Sequence, residues 1–261
     1  MNIDLSEKLA LVTGSTAGIG HAIAAGLLAA GANVVINGRS PERVAAAVEQ
    51  LGGSPRVTGI AADVGTAYGC QILTDTVPSI DILVNNAGIF RPKPLLEIED
   101  SEWTEIMEVN VMSGVRLTRH FLPGMIRKNW GRVVFVSSES ALQVPPEMVH
   151  YGVSKTAQLA VARGYAEAAV NSGVTVNSIL PGPTLSEGVA TFVSSLMGDA
   201  AASAEEAGAL FVREHRPSSL IGRLATTEEV ASLAVYLASH QASAITGSAM
   251  RVDGGVLRAV V

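Results

Sequence analysis

The chain has little that would cross-link it or draw it to a charged partner. Cys70 is its single cysteine in 261 residues. One thiol excludes an internal disulfide and a multi-thiolate metal site, and a reducing compartment, the cytoplasm, is the expected setting. Charged residues are only 16% of the sequence against 48% apolar ones, which excludes a disordered chain. No run of Lys or Arg occurs, and 18 basic against 24 acidic residues leave a net charge of −6. A nucleic-acid grip through many phosphate contacts is therefore not expected. The five histidines are scattered and lack a carboxylate pair, so no catalytic metal is expected either. Trp103 and Trp130 read as packing residues.

One stretch, residues 9–38, contains no Asp, Glu, Lys or Arg and is long enough to span a bilayer. Its interior carries Thr13, Gly14, Ser15, Gly18, Gly20, His21 and Asn33, which do not suit a membrane span. Asp4 and Glu7 occupy the place of a basic signal-peptide region. A soluble chain with no membrane partner is the expectation.

What the sequence does contain is an alternation of two periods. Short apolar runs at 9–13, 33–36, 57–61, 80–84, 132–136, 174–179 and 249–252 read as strands buried on both faces. Helical segments lie between them, notably 19–30, 101–122, 151–170 and 227–238. Pro41 suits the first turn of a further helix, and Thr226 with Thr227, Glu228 and Glu229 forms a helix start. No linker, charge block or repeat divides the chain. The pattern predicts an α/β fold: one doubly wound, Rossmann-type domain over 1–261, with a parallel sheet of about seven strands and helices on both faces.

Between the first strand and first helix stands the run from Thr13 to Gly20, with glycines at 14, 18 and 20. Glycine permits a sharp turn and a close backbone approach, and the following helix N-terminus offers N–H groups to a pyrophosphate. In a strand–turn–helix context this reads as a dinucleotide site, with a tight turn alone as the competing reading. Asn85-Asn86-Ala87-Gly88 follows the fourth strand, and Tyr151 and Lys155 stand four apart further on. With Pro181-Gly182 and the run from Val252 to Gly255, this order and spacing resembles the short-chain dehydrogenase/reductase family over residues 8–255. That resemblance implies cofactor contacts from Gly14, Ser15, Gly18, Ile19 and Gly20. It adds Asp63 and Val64 beside the adenine, Asn86 and Gly88 along the adenosine ribose, and Thr184 and Ser186 at the nicotinamide carboxamide.

NAD-using members of the family carry Asp at the position of Gly38, where an acid binds ribose hydroxyls and repels a 2′-phosphate. Here Arg39 follows instead, and a guanidinium can pair with phosphate. NADP(H) is expected over NAD(H). A solvated Arg39 pairing with Glu42 is the competing reading. Many NADP-using relatives also have Arg or Lys where Ala17 stands.

Tyr151 and Lys155 share one helical face. Random placement of four Tyr and four Lys in this chain gives about 0.06 pairs at that spacing. Free tyrosine has a pKa of about 10, and an ammonium one turn away is expected to lower it toward acid–base use. The resemblance implies that Lys155 also holds the nicotinamide ribose. Ser138 matches the family's serine that binds the substrate oxygen as charge develops. Asn110, within the predicted fourth helix, matches the asparagine that holds a water linking Lys155 to solvent. The expected activity is hydride transfer between nicotinamide and a carbonyl/secondary alcohol, with Tyr151 as acid/base. A non-catalytic nucleotide-sensing protein on the same fold is the alternative.

Glu139, Gln143 and His150 flank Ser138 and Tyr151 and are expected in the substrate pocket, with His150 at its rim or at an interface. Residues 185–223 read either as a helical lid over a small carbonyl or alcohol substrate or as an ordinary amphipathic helix pair. Sugars, steroids, small ketones and 3-oxoacyl thioesters all remain open. The resemblance implies a homotetramer through the fourth and fifth helices. The alanines of the helix from Tyr151 onward suit that contact or burial within one chain equally.

Overall fold

The computed structural model describes residues 2–188 and 204–260. Seven parallel strands form one sheet: β1 (Leu9–Val12), β2 (Asn33–Gly38), β3 (Val57–Ala61), β4 (Ile82–Asn85), β5 (Gly131–Val136), β6 (Val174–Pro181) and β7 (Ala249–Val252). Their order across the sheet is β3-β2-β1-β4-β5-β6-β7. The chain therefore winds outward from β1 in one direction, then returns to build the other half from β4. Ala10 lies against Val34 on one side and Ile82 on the other. β4 and β5 are buried along their whole length, which is why both read as unbroken apolar runs.

Helices cover both faces: α1 (Gly18–Ala29), α2 (Pro41–Gln50), α3 (Ala67–Thr76), α4 (Asp100–Met107), α5 (Ser113–Arg127), α6 (Val149–Ala168), α7 (Ala204–His215) and α8 (Thr227–Leu237). Ile23, Leu27, Val34, Val84, Val230 and Leu237 belong to the core on one face of the sheet. Leu11, Leu73, Leu83, Leu117, Phe121 and Phe135 belong to the core on the other. Alternate residues of β1 and β4 thus serve opposite layers, as the two-residue strand period requires.

Two expectations are refined. The predicted helix over 101–122 is interrupted: residues Glu108–Met112 form a single π-helical stretch between α4 and α5. Such a bulge breaks the regular backbone ladder and frees carbonyls for side-chain donors. In β5, Arg132 is fully buried within the sheet. Its guanidinium donates to the carbonyls of Ser239 at 3.0 Å, Gly131 at 2.8 Å and Gly173 at 3.1 Å, so the cation is spent on backbone acceptors.

Helix starts follow local chemistry. Ser40 Oγ accepts from Arg43 N at 3.2 Å ahead of Pro41, and Thr66 Oγ1 accepts from Gly69 N at 2.9 Å. At α8 the exchange is reciprocal: Glu229 N donates to Thr226 Oγ1 at 3.2 Å, and Thr226 N donates to the Glu229 carboxylate at 2.8 Å. The helix α1 is different, for Ala17 at its N-cap supplies no side-chain acceptor and its first turn holds no acid. Removing a hydroxyl cap costs about 1 kcal/mol. Thr226→Ala should therefore lower the melting temperature by about 2–4 °C in a thermal scan.

Candidate active site

The loops after β1 and β4 meet where the winding reverses, the place where open α/β sheets bind ligands. They are bound to one another. Thr13 Oγ1 accepts from Asn86 N and Ala87 N, both at 3.0 Å. Asn86 Nδ2 donates to Thr13 O at 2.8 Å and Gly14 O at 3.0 Å. Gly14 and Gly18 adopt φ of +61° and +57°, a left-handed backbone that side chains disfavour. At Gly20 any Cβ would lie 2.5 Å from Gly14 O, so the third glycine lets α1 close on the turn.

A cavity of about 610 Å³ opens over this junction. Gly14, Gly18, Ile19, Gly20, Arg39, Asp63, Val64, Asn86, Gly88 and Ser186 lie on its wall, and so do Thr16 and Arg43. Ser15 is not on the wall. It is fully buried, with its hydroxyl donating to Val12 O at 2.7 Å and accepting from Asn37 N at 3.0 Å. Asp63 turns its carboxylate to Gly65 N at 3.0 Å. The uncapped N-terminus of α1 faces the same space through Gly18 and Ile19, a place suited to an anion. Glycine at 38 has a steric reason as well: a Cβ there would meet Thr16 Cγ2 at 2.5 Å.

A second cavity of about 210 Å³ adjoins the first, sharing Ile19, Asn86, Gly88, Ile89 and Ser186. Ser138, Glu139, Tyr151, Lys155 and Thr184 line it, together with Phe90, Met148, Phe211 and Arg216. The structure therefore brings Ser138, at the end of β5, and Tyr151 and Lys155, in the first turns of α6, to one wall. Phe90 meets the Tyr151 ring edge-on at 6.1 Å between centroids. Thr184 keeps its hydroxyl on Gly182 O at 2.9 Å.

Asn110 is buried in the π-helical stretch rather than in a regular helix. Its Oδ1 accepts from Ile89 N at 2.7 Å, and its Nδ2 donates to Ile89 O and Ser154 Oγ, both at 2.9 Å. The side chain thereby ties the loop after β4 to α6. Its backbone carbonyl accepts from Gln158 Nε2 at 2.5 Å, and Gln158 Oε1 accepts from Lys155 Nζ at 3.2 Å. Lys155 also donates to Val136 O at 2.9 Å.

The electrostatics differ from the sequence expectation. Burial, then the Glu139 carboxylate, pushes the Tyr151 phenol above its usual range, against a smaller lowering by its hydrogen bond with Ser138. Burial also pulls Lys155 down to about 7. Lys155, its own charge disfavoured by burial and its Nζ 5.6 Å from the phenol ring centre, does not outweigh that burial. The neutral phenol is the favoured form in the free protein.

Two pocket expectations change. His150 is buried with its ring edge-on to Trp103 at 5.9 Å, because its place in α6 turns it away from the Tyr151 face. Gln143 is exposed in the loop after Glu139 and does not line the cavity. Glu139 alone of the three does so. Much of the segment expected as a lid, residues 189–203, lies outside the described residues. Phe211 and Arg216 belong to the 185–223 segment and line the cavity. Sequence reasoning missed Arg43 and Gln158. Arg43 had a signal, a second cation four residues after Arg39, whereas Gln158 is placed by tertiary contacts that no spacing encodes. Among the described residues, no three metal-ligating side chains cluster, and no helix is long and apolar enough to cross a membrane.

Comparison with known proteins agrees with this geometry. The family model for short chain dehydrogenases matches residues 8–196. An oxidoreductase of Bacillus subtilis (strain 168), YvaG, is 47% identical over the whole of both chains. The 3-oxoacyl-[acyl-carrier-protein] reductase FabG of Aquifex aeolicus is 33% identical over 98% of this chain and 100% of its own. The L-sorbose reductase of Gluconobacter frateurii, solved with NADPH and L-sorbose, superposes with a TM-score of 0.92 at 33% identity over the whole of both chains. The chain belongs to the short chain dehydrogenase family. It is an oxidoreductase of the kind that acts on carbonyl and alcohol groups with a nicotinamide cofactor.

The low pKa of Lys155 has a signed consequence. Between about pH 7 and the ordinary lysine value of 10.5, the unfolded chain binds a proton at this site that the folded chain does not. Its contribution to stability therefore rises with pH through that window and is lost as pH falls toward 7. Denaturant titrations of the free protein should show that rise flattened in Lys155→Met.

Proposed function

We propose that the protein is an NADP(H)-dependent oxidoreductase that interconverts a small carbonyl compound and its secondary alcohol, with Tyr151 as the acid and base. The observation that carries the reading is the meeting of Ser138, Tyr151 and Lys155 on one small cavity continuous with a glycine-walled cleft. The cleft suits a dinucleotide: Gly14 and Gly18 leave their backbone bare at φ values above zero, and uncapped N–H groups of α1 face a space sized for a pyrophosphate and two nucleosides.

When bound, the cofactor supplies or accepts the hydride. The protein's own groups do the rest. Ser138 and Tyr151 would hold the carbonyl oxygen, where negative charge grows during reduction. The raised phenol pKa keeps Tyr151 protonated at neutral pH, the form that carbonyl reduction consumes. Lys155, with its pKa near 7, is matched to hand a proton on at working pH. Asn110 and Gln158 position that amine through α6 and the loop after β4. Phe211 and Arg216, from the far end of the 185–223 segment, line the cavity and supply an apolar and a charged wall beside Tyr151 and Glu139.

The cofactor preference rests on charge. Arg39 and Arg43 stand on the wall beside Gly38, and no acid occupies the end of β2 to repel a 2′-phosphate. NADPH in the similar L-sorbose reductase supports the same choice. The family resemblance extends the proposal to a cytoplasmic homotetramer built through the helices at 100–127 and 149–168.

Two measurements test the reading. Tyr151→Phe should keep cofactor binding, followed by nicotinamide fluorescence, and lose turnover by about three orders of magnitude or more. Near-normal rates in that variant would remove Tyr151 as the acid. Arg39→Ala should cut the ratio of kcat/KM with NADPH to that with NADH about tenfold or more, the scale of one lost charge-assisted pair. An unchanged ratio would overturn the assignment.

A further inference from the structure

The wall of the catalytic cavity opposite the dinucleotide cleft is charged. Glu139 follows Ser138 directly and is buried, with its side chain 8% exposed. Ser138 Oγ donates to Glu139 Oε2 at 2.5 Å and accepts from Ser140 N at 3.1 Å. Arg216 Nε stands 3.5 Å from Glu139 Oε1, and Arg216 Nη2 stands 3.5 Å from Glu147 Oε1. The Arg216 side chain is itself only 13% exposed.

A serine hydroxyl has one proton. To stabilise a substrate oxygen, Ser138 must turn that proton away from Glu139. The carboxylate then loses a hydrogen bond while its side chain is buried, and an underpaired buried carboxylate is costly. A substrate that brings its own donor removes the cost. In a syn arrangement, oxygens on neighbouring carbons of one molecule lie about 3 Å apart. The Glu139 carboxylate is the immediate hydrogen-bond neighbour of Ser138 Oγ. A substrate with its carbonyl oxygen on Ser138 therefore brings a hydroxyl on the adjacent carbon within reach of Glu139.

The charges of this wall are paired: Arg216 faces Glu139 across it, and a buried ion pair is a poor lining for a long acyl chain.

We infer that the substrate is an α-hydroxyketone, its hydroxyl bound by Glu139 while Ser138 binds the carbonyl, and that reduction yields a vicinal diol. The inference rests on the oxidoreductase reading. In the reaction the carbonyl carbon gains the hydride of the reduced nicotinamide, and its oxygen gains the Tyr151 proton.

The test compares hydroxyacetone with 2-butanone, in which a methyl replaces the hydroxyl, using the full-length protein and NADPH. A site built to pair a substrate hydroxyl rejects the analogue that lacks it strongly. The ratio of kcat/KM, hydroxyacetone over 2-butanone, should be about 100 or more in the wild type and fall at least about tenfold in Glu139→Ala. Glu139→Leu keeps the bulk without a hydrogen-bond acceptor and gives the same reading if the alanine variant fails to bind NADPH. Equal ratios in wild type and variants mean that the preference belongs to the ketone and overturn the inference. So does reduction of 2,3-butanedione, which has no hydroxyl, without reduction of hydroxyacetone; in that outcome the oxidoreductase reading stands. Turnover of no carbonyl at all removes both.

Discussion

The hydrogen bonds exchanged by Thr13 and Asn86 are the constraint on which the rest of the site depends. They join the ends of β1 and β4, the two strands where the winding reverses. Both loops are thereby fixed to one another, and the cleft opens over their junction. Three glycines make the approach feasible. Gly14 and Gly18 bend where side chains are strained, and Gly20 admits α1 to the turn. The uncapped start of α1 follows directly, since Ala17 brings no acceptor and the N–H groups remain turned toward the cleft.

From that junction, positioning passes outward through a second set of contacts. Asn110, carried by the π-helical stretch, grips Ile89 on one side and Ser154 on the other. The loop after β4 and the start of α6 are therefore fixed to one another. Tyr151 and Lys155 hold their places on the cavity because α6 does. Interrupting the helix at Asn110 weakens the local ladder, yet it frees the carbonyl that orients Gln158 and, through it, Lys155. Burial then acts on the two ionisable groups in opposite senses. It raises the phenol and lowers the amine, because each loses stability in its charged form. The pair is tuned by enclosure more than by mutual attraction.

Much of the fold was legible in the residues. Unbroken apolar runs at β1, β4 and β5 reflect strands covered on both faces, and the proline and hydroxyl signals at Pro41 and Thr226 act locally. The glycine spacing and the Tyr151–Lys155 pair are likewise short-range, so strand–turn–helix context was enough to read them. Other features depend on partners distant in sequence. His150 sits beside Tyr151 in the chain but is claimed by Trp103. Ser15 lies within the glycine run yet spends its hydroxyl on Val12 and Asn37. Arg216 reaches Glu139 across more than seventy positions, and no periodicity marks that pair.

The sequence alone determined the parallel doubly wound sheet, the glycine turn after the first strand and the sharing of one helical face by Tyr151 and Lys155, because each arises from periodicity or from neighbours within a helical turn. Tertiary structure alone decided which pocket residues face the cavity, how Asn110 and Gln158 seat the lysine, and which way each pKa moves. Enclosure and long-range contact set those properties, and neither exists until the strands and helices have closed around the site.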